Sequence, residues 1–232
     1  MKISMKKRKI GYTYGSVSGY FSFRKEKSIA FESTLERDLL TILEFNDSVE
    51  DVVEQPITIE YTNRNGRQVT YTPDFLVFFN EPDASLLKIQ RKPLLIEVKP
   101  HEKLLKHFKE MRYKFKTAIK YAQANDMVFK IFDERKIRTQ YLKNINFLKK
   151  YLRFSYDTDI ENEILSYVNA LGDVTVDNIL EYFFITDSQK AIGIGQIWNL
   201  LASKKLLCDY RKELSLKTLV WVNDTLSFGE TI

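Results

Sequence analysis

The chain has 232 residues, 44% of them hydrophobic and 29% charged, enough to bury one good core and a second small one without disulfides or metals. One cysteine, Cys208, and two histidines exclude an internal disulfide and a cysteine- or histidine-built zinc site, so any metal here is held by oxygen. The net charge of +5 hides an asymmetry: residues 1–154 carry 30 Lys and Arg against 19 Asp and Glu, and residues 155–232 carry 6 against 12.

A basic block is the usual footprint of phosphate binding, and an acidic block is repelled by the same duplex. Both blocks also admit the plainer reading of solvated faces. The N-terminus is basic (Lys2, Lys6, Lys7, Arg8, Lys9) but no apolar core follows it, and no stretch approaches the roughly 18 apolar residues of a membrane span. A cytoplasmic location is expected.

The first thirty residues are polar, aromatic and basic without periodicity, and read as an arm or a short hairpin. Ser33-Thr34-Leu35-Glu36 has capping-box spacing, and Leu39, Leu40 and Leu43 share a helical face with Glu36, predicting a helix over about 34–46. Val52 and Val53 and then Ile57 to Tyr61 read as strand. Asn63 to Gly66 read as a turn and Gln68 to Tyr71 as the returning strand of a hairpin. Phe75 to Phe79 is too apolar to be half-exposed, which places it mid-sheet. After a loop over 80–92, Leu94 to Lys99 is a second such strand, ended by Pro100. Residues 102–124 carry Leu104, Leu105, Phe108, Met111, Phe115, Ile119 and Ala122 at helical spacing amid lysines. A strand over 127–132 and a helix over 134–152 complete an α/β unit, a mixed sheet with helices on both faces. Beyond a boundary at about 155, helices near 160–171, 175–184 and 194–204 and a hairpin over 205–222 outline a smaller winged helix-turn-helix domain. The domains expected are thus 1–154 and 155–232.

The chemistry concentrates in Pro73-Asp74 and Glu97-Val98-Lys99. Alternation along a strand points Glu97 and Lys99 to one face, among apolar neighbours. Buried carboxylates need partners, and a cation beside Asp74 supplies one. Mg²⁺ suits such a site, because it takes one or two carboxylates, keeps waters and binds phosphates. An ion pair within the strand is the alternative for Glu97 and Lys99. Glu36 lies on the core stripe of its helix and offers a third carboxylate. At the third position of a capping box it reads equally well as a cap. Gln55, before Pro56, is a candidate to position the site or else a turn residue. Lys103, Lys106, Lys109, Arg112, Lys114 and Lys116 track a DNA backbone or form a solvated face. His101 and His107, six apart, share no helical face and read as surface residues. Gly193-Ile194-Gly195 lacks the strand and third glycine of a dinucleotide site. Gln196, Asn199 and Lys204 are the residues that the last helix offers to a groove, within an acidic domain better suited to docking proteins.

Phe31-Glu32-Ser33-Thr34-Leu35-Glu36-Arg37-Asp38, then Glu54-Gln55-Pro56, Thr72-Pro73-Asp74-Phe75 and Glu97-Val98-Lys99-Pro100, in this order, resemble the TnsA family. These are the endonuclease subunits of heteromeric cut-and-paste transposases. The resemblance implies a PD-(D/E)xK nuclease with a restriction-endonuclease-like fold. It implies that Glu36, Asp74 and Glu97, with Val98 in the metal-binding set, surround Mg²⁺ ions that Mn²⁺ can replace, and that Lys99 assists the attacking water. The best-studied member has Gln at the position of Glu97, so this chain carries an added negative charge there. The partners implied are double-stranded DNA at transposon ends, a DDE-type transposase cutting the 3′ ends and an AAA+ ATPase regulator. The enzyme expected hydrolyses phosphodiester bonds at the 5′ ends. The rival readings are a stand-alone PD-(D/E)xK nuclease of restriction, repair or junction resolution, and a DNA-binding adaptor without turnover.

Overall fold

A computed structural model of the chain describes residues 17–80 and 91–224. The basic residues Lys2 to Lys9 and most of the loop expected at 80–92 lie outside them. The chain divides into two compact units, residues 1–138 and 139–232.

Among the described residues the first unit begins with β1 (Gly19–Phe23) and β2 (Lys27–Phe31), a short hairpin, one of the two readings expected for this region. Helix α1 (Thr34–Phe45) follows with Ser33 as its N-cap, burying Leu35, Leu39, Leu40 and Leu43. The sheet is built from β3 (Val49–Glu54), β6 (Phe75–Phe79), β7 (Leu94–Val98) and β8 (Val128–Phe132), in the order β3-β6-β7-β8. The pairs β3–β6 and β6–β7 are antiparallel and β7–β8 is parallel. It is the mixed sheet expected from the sequence, with the apolar strands β6 and β7 at its centre. A separate hairpin of β4 (Ile59–Thr62) and β5 (Gln68–Tyr71) projects between β3 and β6, turning through Gly66 at φ +73°. Helix α2 (His101–Ala124) crosses back so that β8 can pair in parallel with β7, as a parallel crossover requires. Its Ala122 packs on Leu76 and Leu95 of the sheet.

Two expectations here change. Among the predicted apolar positions of α2 only Phe115 and Ala122 are buried; Leu105 is 69% and Phe108 53% exposed, so the helix is covered along its C-terminal half only. The helix predicted over 134–152 is broken into α3 (Glu134–Ile137), α4 (Gln140–Leu148) and a 3-10 turn at Tyr151–Arg153. The break falls at Arg138, whose ψ of +53° is not helical. Its guanidinium donates to Asp38 Oδ2 at 2.8 Å and Thr34 Oγ1 at 3.0 Å, drawing the chain toward α1.

The second unit contains α4, then α5 (Thr158–Leu171), β9 (Val174–Thr175), α6 (Val176–Phe183), α7 (Asp187–Ala202), β10 (Leu206–Leu207) and β11 (Leu219–Val222). The strands form a small antiparallel sheet in the order β10-β11-β9. This is the helix-and-hairpin outline expected, with one extra short strand. The unit starts before the boundary expected at 155, because α4 belongs to its core. Leu148 is fully buried there, Phe147 stacks edge-on to Trp198 at 5.6 Å, and Asn144 Nδ2 donates to the carbonyls of Tyr210 (2.8 Å) and Lys212 (2.6 Å).

Helix α7 begins at Asp187 rather than near 194, behind a capping box of Thr186 and Gln189. Gly193 and Gly195, which obscure the helix in the sequence, are sites of close approach. A Cβ at Gly193 would run into the Phe184 ring, and one at Gly195 would lie 2.8 Å from the Tyr156 hydroxyl. Among the described residues no helix is long and apolar enough to cross a membrane.

Candidate active site

The antiparallel register pairs Phe75 with Ile96, and Asp74 N–H donates to Ile96 O at 3.0 Å, so Asp74 stands opposite Glu97 at the end of the two central strands. Opposite residues of such a pair share a face. Leu95, Glu97 and Lys99 therefore line the side that α2 covers, and Asp74 joins them. Asp74, Glu97 and Lys99 edge a cleft of about 700 Å³ that is also lined by Glu32, Gln55, Thr58, Thr70, Tyr71, Thr72 and Lys114.

Glu97 is only 1% exposed and has three partners. The Tyr71 hydroxyl donates to Oε2 at 2.7 Å, Lys114 Nζ donates to Oε1 at 2.8 Å, and Lys99 Nζ lies 3.3 Å from the same oxygen. The ion pair weighed for Glu97 and Lys99 in the sequence is thus present, as part of a larger cluster. Asp74 Oδ2 accepts the Val98 N–H at 2.6 Å. Val98 itself is buried with an apolar side chain, so any metal contact from it can come only from its backbone.

Burial, and then the Glu97 carboxylate, push Asp74 well above the usual carboxylate range, with Lys99 opposing. Burial also raises Glu36, against the hydrogen bonds from Glu32 and Ser33. For Lys99 burial alone lowers the pKa, but Glu97, Asp74 and Glu36 outweigh it and hold the ammonium above its ordinary value. Burial, then Glu97, drives the Tyr71 phenol far up, so it remains a donor.

Glu36 is the helix cap that one of its sequence readings expected. It is close enough to Asp74 and Lys99 to shift them. Its side chain is nonetheless turned to its own helix end: Oε2 accepts the Glu32 N–H and Oε1 the Ser33 hydroxyl, both at 2.8 Å. Gln55 lies beside Asp74, its N–H donating to Asp74 O at 2.8 Å and its amide to Glu32 Oε1 at 3.2 Å. It adopts a left-handed φ of +43°, a strained conformation for a residue with a Cβ.

Oxygen donors, desolvation and mutual repulsion fit a hard divalent cation. Yet among the described residues no three acidic, histidine or cysteine side chains converge tightly enough to hold one. Each carboxylate is instead engaged by protein: Glu36 by its cap, Asp74 by Val98, and Glu97 by Tyr71 and the lysines. The fit is therefore one of donor chemistry and charge, and it needs Glu36 and Glu97 to turn from their present partners.

The structure thus brings Asp74, Glu97 and Lys99 together, places Glu36 alongside, and adds Glu32, Tyr71 and Lys114. Lys114, grouped in the sequence with the other basic residues of α2, instead turns inward to Glu97, three and four residues from Met111 and Ala118. Lys103, Lys106, Lys109, Arg112 and Lys116 are exposed on the remaining surface. In the second unit, Gln196 is 2% exposed and donates to Asp157 O, and Asn199 donates to Tyr151 O. Neither is offered to a groove.

Two family descriptions match the chain in succession: TnsA-like endonuclease N terminal over residues 46–134, and TnsA endonuclease C terminal over residues 136–210. No curated protein matches it. The mixed sheet flanked by helices agrees with the restriction-endonuclease-like fold of that first domain.

Proposed function

The chain belongs to the TnsA endonucleases and is a nuclease subunit of a transposase, and from that premise we propose that the cleft at Asp74 hydrolyses the phosphodiester bonds at the 5′ ends of a transposon. The observation that carries this reading is the placement of desolvated Asp74 across from Glu97 and Lys99 at the mouth of an open cleft. Burying neighbouring carboxylates is costly, and groups so perturbed in a cleft concentrate at functional sites.

In this reading Asp74, Glu97, Glu36 and the Val98 backbone hold Mg²⁺, or Mn²⁺ in its place. The ion, when bound, polarises the phosphate and lowers the pKa of a water. Lys99, kept protonated by its three acidic neighbours, orients that water or offsets charge developing on the phosphate. Gln55 fixes the Asp74 backbone from the β3 side. The basic face of α2 follows the DNA backbone through Lys103, Lys106, Lys109, Arg112 and Lys116.

The second unit carries the partner contacts, with the DDE-type transposase that cuts the 3′ ends and the AAA+ ATPase regulator as the partners expected. Internal use of Gln196 and Asn199 supports protein docking over base reading there. A stand-alone nuclease of restriction, repair or junction resolution is the weaker reading, because both TnsA domains match in order.

The test is Asp74→Ala on transposon-end DNA, with the partner proteins present. Strand cleavage is expected to fall by more than about a hundredfold, with folding and DNA binding retained. Cleavage surviving the change would sink the assignment of the site.

A further inference from the structure

Glu97 is held by more cation than it needs. With Tyr71 donating to one oxygen and Lys99 beside the other, both oxygens are satisfied without Lys114, yet Lys114 makes the shorter of the two charged contacts. The Lys114 ammonium also sits 4.7 Å from the centre of the Tyr71 ring, so Tyr71 steadies both members of the pair. Lys99 is anchored two residues from Glu97 on the same strand. Lys114 instead reaches in from α2, on a flexible four-carbon stem, and borders the open cleft.

A divalent cation cannot share Glu97 Oε1 with an ammonium at 2.8 Å without strong like-charge repulsion. An anion entering the cleft offers Lys114 another partner. On the metal-nuclease reading above, we propose that Lys114 is a positioning residue that occupies Glu97 as a resident counter-cation. The phosphate of bound DNA draws it away, and only then is Glu97 free to turn to a divalent ion. Lys114 thereby makes metal loading depend on substrate.

The experiment measures Mn²⁺ affinity of the full chain by titration calorimetry. It is run with and without a duplex carrying non-hydrolysable phosphorothioate linkages. Lys114→Met removes the charge; Lys114→Gln removes it but keeps an N–H donor for Glu97, and serves if the first variant folds poorly. Without DNA both variants are expected to bind Mn²⁺ at least about tenfold more tightly than the parent, the scale of losing one nearby unit charge. The affinity gained on adding DNA is expected to shrink in both. Lys114→Arg, which keeps the charge, is expected to stay with the parent. Equal or weaker Mn²⁺ binding by the neutral variants overturns the proposal. Asp74→Asn, titrated alongside, separates the two layers: its loss of Mn²⁺ binding supports the metal site, and parent-like binding overturns that site and the Lys114 role with it.

Discussion

Burial sets the carboxyl of Asp74 at odds with the stability of the fold. Its carboxyl is raised above its ordinary value of 3.8 by burial and by Glu97. A raised acid favours the folded state fully only below its unfolded pKa, and that contribution is lost as pH rises through the folded value. At neutral pH that contribution is diminished, so the buried carboxyl makes the metal-free protein less stable there than at low pH. Asp74→Asn keeps the shape and can still accept the Val98 N–H. It is expected to raise the metal-free melting midpoint, by about 2–4 °C for each kcal/mol recovered, with a smaller gain at pH near 4. Mn²⁺ should raise the midpoint of the parent and leave that of the variant in place. Calorimetry over a pH series checks both, and a lower midpoint for Asp74→Asn at pH 7 would contradict the sign.

At the scale of elements, the start of α1 is tied to the site through a cap. Ser33 Oγ accepts the Glu36 N–H at 3.2 Å and returns its own hydrogen to Glu36 Oε1 at 2.8 Å. Ser33→Ala is expected to cost about 1 kcal/mol in denaturant unfolding, as loss of an N-cap does. It also releases one Glu36 oxygen, so Mn²⁺ binding is expected to tighten slightly as stability falls. Stability and affinity falling together would instead mean that Glu36 must stay capped to contribute. The ends of β6 and β7 play the complementary part: their register, rather than any loop, sets Asp74 against Glu97.

At the scale of the whole molecule, each unit has a core of its own, and the second takes α4 into it. A fragment of residues 139–232 is expected to unfold in one cooperative transition. A fragment of residues 155–232 lacks Leu148, Phe147 and the Asn144 bonds to Tyr210 and Lys212. Emptying the space of one buried leucine alone costs about 2–5 kcal/mol, so this fragment is expected to melt at least ten degrees lower, or to show no transition, by circular dichroism. Equal midpoints would return the boundary to 155.

Periodicity and local spacing carried the elements. The apolar run of Phe75 to Phe79, the alternation that sets Glu97 and Lys99 on one face, the cap at Ser33 and the apolar stripe of α2 near Phe115 follow from the sequence, because each rests on neighbours a few residues apart. The motifs of Glu36, Asp74, Glu97 and Lys99 were legible for the same reason. The break at Arg138 was not, since it depends on Asp38 and Thr34, about a hundred residues away. Nor were the close approach of Gly193 to Phe184, the start of the second core at α4, or the grip of Tyr71 and Lys114 on Glu97. A lysine at helical spacing looks the same whether it meets water or a carboxylate. Which of the two it meets depends on the strand that folding lays against the helix.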